Sequence, residues 1–196
     1  MKGMFSTHDC SVVDCQRFAL KGSDRCLQHT PQNEKVLKSF IDSLKTSRRH
    51  SDIVLTDSKL KGVDFSNINL TTCDFGRCIF EDVNFKNAKM EACFFDFCIF
   101  ENCNMDGCDA RHSVFAGSKL IKANMTNTLL IYSNLMGLDA RYCDFTSSDL
   151  YRSNFCSSHL HNVQFIDCNM KGADFRFTHR SEVSFKYSNF EEAIFI

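Results

Sequence analysis

A bulky apolar residue returns at every fifth position over most of this chain. The 29 positions that are multiples of five, from Leu55 to Phe195, hold fourteen Phe, eight Leu, four Met, two Ala and one Arg. A helix repeats every 3.6 residues and a strand every two, so neither keeps residues five apart on one face for long. The period therefore indicates a repetitive fold in which each five-residue unit ends at a corner.

The position two residues before each bulky one is small. From Ile53 to Ala193 these 29 positions hold eight Cys, eight Ser, four Ala, four Val, two Thr, two Ile and one Leu, with no charged residue. If four units make one square coil, the chain turns in about 20 residues, and successive coils stack about 4.8 Å apart. The bulky residues then fill the interior with the small ones beside them, so we interpret the inward cysteines as core packing rather than a metal or redox cluster.

The order small, Asp or Asn, Leu or Phe, polar, polar resembles the motif of the pentapeptide-repeat family. Fragments such as CDFGR, ANMTN, SNLMG, SDLYR and ADFRF match it, and the resemblance covers about three quarters of the chain. It implies an all-β solenoid, a right-handed quadrilateral β-helix with four pentapeptides to a coil and about seven coils in residues 51–196. Arg180 occupies a core position, and we expect a bulge or an escape to solvent there because a buried unpaired guanidinium is costly.

Residues 1–30 contain a possible metal site. Cys10, Cys15, Cys26 and His29 have the spacing C-x4-C-x10-C-x2-H. Three thiolates and an imidazole suit a tetrahedral zinc ion, and in a segment with few large apolar residues the metal would supply most of the folding energy. We therefore predict one Zn²⁺ per chain. The alternative is that these are ordinary free cysteines.

Residues 31–50 have the pattern of an amphipathic helix followed by a linker. Thr30 is a suitable N-cap and Pro31 fits the first helical position. An apolar stripe at helical spacing is well suited to cover the first solenoid coil, whose end would otherwise be exposed. The stripe consists of Val36, Leu37, Phe40, Ile41 and Leu44.

Charge and motifs restrict the function. The net charge is −1, with nine Lys or Arg and five Asp or Glu in residues 1–50 against fourteen and nineteen in residues 51–196. The start MKGMFSTHDC lacks an apolar signal region, and no apolar run has the length of a membrane span, so we expect a cytoplasmic protein whose twelve cysteines are thiols or metal ligands. The sequence shows no glycine-rich phosphate loop, H-E-x-x-H motif or Ser-His-Asp order, so we do not expect an enzyme.

Outward positions of the repeats suggest a contact surface. Ile79 and Ile99 share one column, Phe94 and Val114 share the next, and Phe97 lies at the corner between them. Outward apolar residues gain nothing from the core, so we predict that this group binds a partner. The alternative is a set of scattered surface hydrophobes or residues that favour a sheet.

Another outward column contains potential metal ligands. Asp139, His159 and His179 are 20 residues apart, and His161 lies nearby. They could hold a surface metal, but a convex solenoid face has no cleft that excludes water, so we do not assign a site here.

The end of the chain favours self-association. EEAIFI finishes with core-frame residues and leaves no segment to cap the last coil. An open strand edge with apolar side chains is an aggregation hazard, so we predict a homodimer through the C-terminal coil. Its predicted interface is Phe185, Phe190, Phe195 and Ile196.

Three functions remain open, and the first is favoured: a non-catalytic protein-protein interaction or scaffold module. The family resemblance implies the second, because some members imitate duplex DNA and bind a type II topoisomerase, protecting or inhibiting gyrase. The charge of −5 over residues 51–196 is modest for such a mimic. The third is nucleic-acid binding by the basic N-terminal unit, for which Arg17, Phe18, Lys21 and Arg25 give thin support, so we regard direct nucleic-acid binding as unlikely.

Overall fold

The structure is a computed structural model that describes residues 8–20, 22–47 and 49–196. Residues 1–7 of the predicted metal unit, Lys21 of the nucleic-acid hypothesis and Arg48 lie outside the described residues. The secondary structure consists of a 3-10 turn Leu27–His29, α1 Asn33–Thr46, β1 Arg49–Ser51, β2 Lys59–Lys61, β3 Asn69–Thr71, β4 Ile79–Glu81, β5 Ile99–Glu101, β6 Lys119–Ile121, β7 Asp139–Arg141, β8 His159–Gln164, β9 His179–Ser184 and a 3-10 turn Phe190–Glu192.

Parallel pairing with an offset of 20 residues builds four faces. Face 1 is a seven-stranded parallel sheet in the order β2-β4-β5-β6-β7-β8-β9, in which Phe80 lies opposite Phe100. Faces 2, 3 and 4 follow in chain order mainly as columns of single bridges, and the face 3 column begins with the two-stranded parallel sheet β1-β3. Representative pairs are Asn84 with Asn104 on face 2, Lys89 with Asp109 on face 3 and Phe94 with Val114 on face 4. The predicted β-solenoid of about seven coils is confirmed.

Left-handed backbone forms the corners between the faces. Every fifth residue from Asp52 to Tyr187 has a positive φ, and only five of these corner residues are glycine, while nine are Asn or Asp. This region costs other residues roughly 1 kcal/mol or more. At most corners a hydrogen bond to the next coil offsets the cost, as in the bond from the N–H of Phe97 to the carbonyl of Ala116, 2.9 Å long.

The interior consists of stacked rings and small hydrogen-bond donors. Phe80 and Phe100 stack with their ring centroids 4.8 Å apart. Most inward Cys and Ser side chains donate to the carbonyl 23 residues earlier, as Cys78 Sγ does to Leu55 O at 3.0 Å. Burial raises the pKa of the Cys78 thiol to about 12, so the thiol stays protonated and keeps this donor. The inward cysteines are therefore core donors, in agreement with the packing interpretation.

The helix α1 covers the first coil. Leu44 is buried in the solenoid core, and a small cavity of about 140 Å³ remains under the helix. The expected helix start is wrong, because α1 begins at Asn33 after Gln32 in a left-handed conformation. Thr30 does not cap α1, since its hydroxyl donates instead to Cys26 O at 2.9 Å and closes the preceding 3-10 turn.

The five-residue frame weakens in the last coil. Arg180 is exposed, as expected, and its guanidinium carbon lies 4.7 Å from the ring centroid of Phe195. Phe190 leaves the core and is 51% exposed, contrary to its place in the frame. The physical reason is that Asn189 binds the backbone N–H of Met170 at 2.7 Å and begins a 3-10 turn, which rotates Phe190 out of the interior.

Candidate metal centre and contact surfaces

Two short turns bring the predicted metal ligands together. The bridge between Asp9 and Phe18 closes a loop that carries Cys10 and Cys15, and the N–H of Cys15 donates to Val12 O at 3.1 Å. The 3-10 turn after Cys26 places His29 three residues on, with its N–H donating to Cys26 O at 3.1 Å. Each turn therefore presents two ligands.

The four ligand atoms form one compact group. Cys10 Sγ and Cys26 Sγ lie 3.4 and 3.5 Å from His29 Nδ1, and Cys15 Sγ lies 3.9 Å from Cys26 Sγ. All four atoms are within 4.8 Å of one another. A tetrahedral zinc ion with bonds of about 2.3 Å to sulfur and about 2.0 Å to nitrogen separates its ligand atoms by about 3.5–3.8 Å. The arrangement can hold a four-coordinate metal ion.

The electrostatics of the group favour a bound cation. Burial raises the pKa of the Cys10 thiol, but N–H groups of Cys26 and Val12 and the His29 ring outweigh it and lower the pKa to about 6. Burial, together with the neighbouring thiols, raises the pKa of Cys26. The first thiolate therefore forms readily, but its negative charge disfavours a second thiolate close to it. A bound metal cation offsets this repulsion.

The metal unit is attached to a corner of the first coil of the solenoid. Asp57 accepts an ion pair from Arg17 at 3.3 Å and another from Arg77 at 2.8 Å, and its backbone carbonyl accepts a hydrogen bond from Gln28. Burial raises the pKa of the Asp57 carboxyl, but the two guanidinium groups lower it more, so the net pKa is lowered. Leu27 adds a buried apolar contact.

The structure brings the predicted partner-binding residues together at the corner between faces 4 and 1. Ile79 lies opposite Ile99, and Phe94 bridges to Val114. Phe97 is 65% exposed, Ile79 is exposed and the other three are half-buried. Sequence reasoning missed Met136, an exposed residue two positions after Asn134 of the face 4 column. The repeat could have revealed this residue, because Met136 lies 20 residues after Ala116 and therefore in the same outward column of the next coil.

The predicted dimer residues lie at the open end of the solenoid in different environments. Phe185 and Phe195 are half-buried and continue the ring stacks, with Phe175 and Phe195 centroids 5.4 Å apart. Phe190 is half exposed and Ile196 is fully exposed.

Two findings concern other kinds of site. Among residues 8–20, 22–47 and 49–196, the Cys10, Cys15, Cys26 and His29 group is the one set of three or more possible ligands close enough to share a metal ion. Asp139, His159 and His179 do not form such a group. No helix in this described part of the chain is long and apolar enough to cross a membrane.

Comparison with known proteins agrees with this architecture. A family model described as a pentapeptide repeat region matches residues 78–155, and one described as pentapeptide repeats (8 copies) matches residues 141–176 and 158–196. A search of curated proteins found no significant match.

Similar solved structures include three pentapeptide proteins. HetL, involved in heterocyst differentiation regulation in the cyanobacterium Nostoc sp. strain PCC 7120, is 14% identical over 83% of this chain and 96% of its own, with a TM-score of 0.35. QnrB1, a plasmid-mediated fluoroquinolone resistance protein, is 17% identical over 74% and 88%, with a TM-score of 0.39. A protein of the Arabidopsis thaliana thylakoid lumen is 28% identical over 51% and 66%, with a TM-score of 0.31. The two family models together span residues 78–196, more than half of the chain, and the chain belongs to the pentapeptide-repeat family.

Proposed function

We propose that this chain is a non-catalytic protein-interaction module whose solenoid presents the apolar patch at the corner between faces 4 and 1 to a protein partner. The patch consists of Ile79, Phe94, Phe97, Ile99 and Val114. The observation that carries the proposal is Phe97, an aromatic residue that is 65% exposed at a left-handed corner and lies among the other apolar residues of the patch.

The position of Phe97 also suits a binding anchor. Its ring rests over Gly117 in the next coil, so the side chain is held in place although it is exposed. An aromatic residue held in its bound position loses little conformational entropy on association. Such residues dominate the binding free energy of many interfaces.

The state of the cysteines supports a role without catalysis. Burial raises the pKa of most inward thiols, to about 12 for Cys78 and about 11 for Cys103, whereas a hydrogen bond with the Cys93 side chain lowers that of the buried Cys73. A protonated thiol that is already a donor to a backbone carbonyl is a poor nucleophile. These residues therefore serve the core.

The N-terminal unit completes the module as a cap. We assign zinc to the Cys10, Cys15, Cys26 and His29 group, one ion per chain, because three sulfur ligands and one nitrogen ligand with near-tetrahedral spacing suit that metal. Residues 1–30 form the metal unit, residues 31–50 the capping helix and linker, and residues 51–196 the solenoid.

The free thiols of the described cysteines suit a reducing compartment, which supports a cytoplasmic location. At the opposite end, Phe185, Phe190, Phe195 and Ile196 form the interface of a homodimer.

The charge distribution favours this function over a DNA mimic that binds a type II topoisomerase. A duplex mimic needs rows of carboxylates that stand in for phosphates. Seven carboxylates of the described residues already pair with Lys or Arg. The same reasoning weakens nucleic-acid binding by the metal unit, since Arg17 is engaged by Asp57. A gyrase supercoiling assay and a DNA shift assay at varied salt test the two alternatives.

Site-specific crosslinking tests the proposed surface. A photo-reactive amino acid is placed at Phe97 and, as a matched control, at Phe177, which is 76% exposed at a left-handed corner on the same edge. In extracts of the source cells we expect a discrete protein adduct from position 97 and none from position 177. Equal adducts from both positions, or none from position 97, would contradict the proposal.

A further inference from the structure

A groove of about 550 Å³ runs along face 1 over the last three coils. Two rows of side chains form its walls, and the strand backbones lie between them. The rows are Asp139, His159 and His179 on one side and Arg141, His161 and Ser181 on the other. Residues two apart on a strand lie about 6.6–6.8 Å from each other, so the rows are separated by roughly that distance.

Imidazoles dominate the groove. His159 and His179 stack with their centroids 4.8 Å apart and their planes at 24°. His161 Nδ1 lies 3.0 Å from Ser181 Oγ, so the second ring nitrogen is left to meet a ligand. The ring of Tyr142 stands edge-on to His161 at 5.4 Å and supports it from the corner. Three imidazole edges therefore line a channel one coil long.

The groove contains no carboxylate that is free to repel an anion. Asp139 is its one carboxylate among the lining residues, and both of its oxygens accept bonds from Arg141 at 2.9 and 3.0 Å. Arg180 also lines the groove, while its guanidinium rests on Phe195. An anion in the groove therefore meets the N–H donors of the imidazoles rather than an unpaired carboxylate.

We propose that this groove binds phosphate, as the free ion or as a small phosphate ester, between the row of His159 and His179 and the facing His161. Phosphate oxygens accept charge-assisted bonds of about 2.8 Å, so one phosphate can reach donors in both rows. A metal ion is the less suitable ligand, because the in-plane nitrogens of two stacked rings do not converge on one point, and these residues do not form a ligand group.

Binding by the full-length protein tests the proposal. Isothermal titration with inorganic phosphate at pH 6.5 and constant ionic strength, with histidine side-chain NMR, should show binding that shifts His159, His161 and His179. Glycerol phosphate distinguishes the sources: binding as tight as that of phosphate indicates an ester, and much weaker binding indicates the free ion.

Variants locate the site. His159→Gln with His179→Gln should weaken phosphate binding at least about tenfold, and His112→Gln should not change it, because His112 stacks on Tyr132 at a different corner. Asp139→Asn should tighten binding, since it frees Arg141, and this gain keeps the proposal testable if the double variant misfolds. The proposal would be overturned by an absence of phosphate binding, or by NMR shifts of His112 as large as those of the groove histidines. It would also be overturned if the double variant bound Ni²⁺ more weakly but bound phosphate as tightly as the parent protein, since that result indicates a metal site.

Discussion

The ring of Phe97 lies across the backbone of Gly117 in the next coil. Gly117 has a φ of +66°, and a methyl group there would lie 2.5 Å from Phe97 Cε1. Glycine at this corner therefore does two things, because it allows the left-handed turn and leaves room for the ring. The exposed Phe97 ring of the contact patch is therefore held in one position, although it contributes little to the core.

Gly117→Ala should displace Phe97 and weaken partner binding. Gly137→Ala is the matched control, because Gly137 occupies the same corner one coil later with a φ of +69°, and the atom nearest to an added methyl is the Gly117 nitrogen at 3.9 Å. Both changes should lower the free energy of unfolding by about 1 kcal/mol through left-handed strain. Urea unfolding measures the loss of stability, and the crosslinking yield from a nearby position measures partner binding. Equal loss of binding in both variants would show that the position of the Phe97 ring does not matter.

Most of the fold follows from the sequence because its period is physically unusual. A residue such as Phe80 with an apolar partner 20 positions away in Phe100 can be satisfied only by stacked square coils. The small position carries more information than packing alone suggests. Ser118 donates to Phe95 O at 2.6 Å and accepts from the Cys98 N–H at 2.8 Å, so a Ser or Cys at the small position can satisfy backbone atoms beside the corner.

The corners and the ends could not be predicted in the same way. Thr72 and Phe97 adopt left-handed backbone because the coil geometry and inter-coil hydrogen bonds impose it, not because their residue types favour it. Thr30 carries an N-cap signal but uses its hydroxyl in the turn that positions His29. Phe190 keeps the frame in sequence, yet the 3-10 turn that follows Asn189 rotates it out of the interior.

The metal centre predicts a specific elemental analysis. Purified protein should contain one zinc ion per chain, and Cys10→Ser with Cys26→Ser should abolish it, because each removed thiolate is a ligand. Cys156→Ser is the control, since Cys156 is a half-buried free thiol outside the group. Metal loss should expose the loop around Arg17 and Arg25 to trypsin while the solenoid stays folded. A folded, trypsin-resistant N-terminal unit without metal would contradict the zinc assignment.

Acid should remove one contribution to the stability of face 1. Hydrogen bonds and ion pairs from Lys59 and Lys61 lower the pKa of Glu81 to about 2. A carboxyl whose pKa is lowered in the folded state stabilises the protein when the pH is above its unfolded-state pKa, about 4.3. This stabilisation is lost as the pH falls toward the folded-state pKa of about 2. Glu81→Gln should therefore flatten the decline in the urea midpoint over that range. Glu101→Gln, one coil later in the same column, is the control, and an unchanged pH profile in Glu81→Gln would refute the assignment.

The C-terminal coil predicts an association state that depends on two exposed residues. The guanidinium of Arg180 shields one face of Phe195, but Phe190 and Ile196 remain exposed beside it, so water contacts apolar surface at this end unless a second chain covers it. We expect a dimer in sedimentation equilibrium at micromolar concentration. Phe190→Ser with Ile196→Ser should give a folded monomer, since neither side chain supports the core, whereas Tyr187→Ser, which removes a similarly exposed ring from a neighbouring corner, should remain a dimer. A monomeric parent protein would exclude this interface, and a dimer that survives the double change would place it elsewhere on the solenoid.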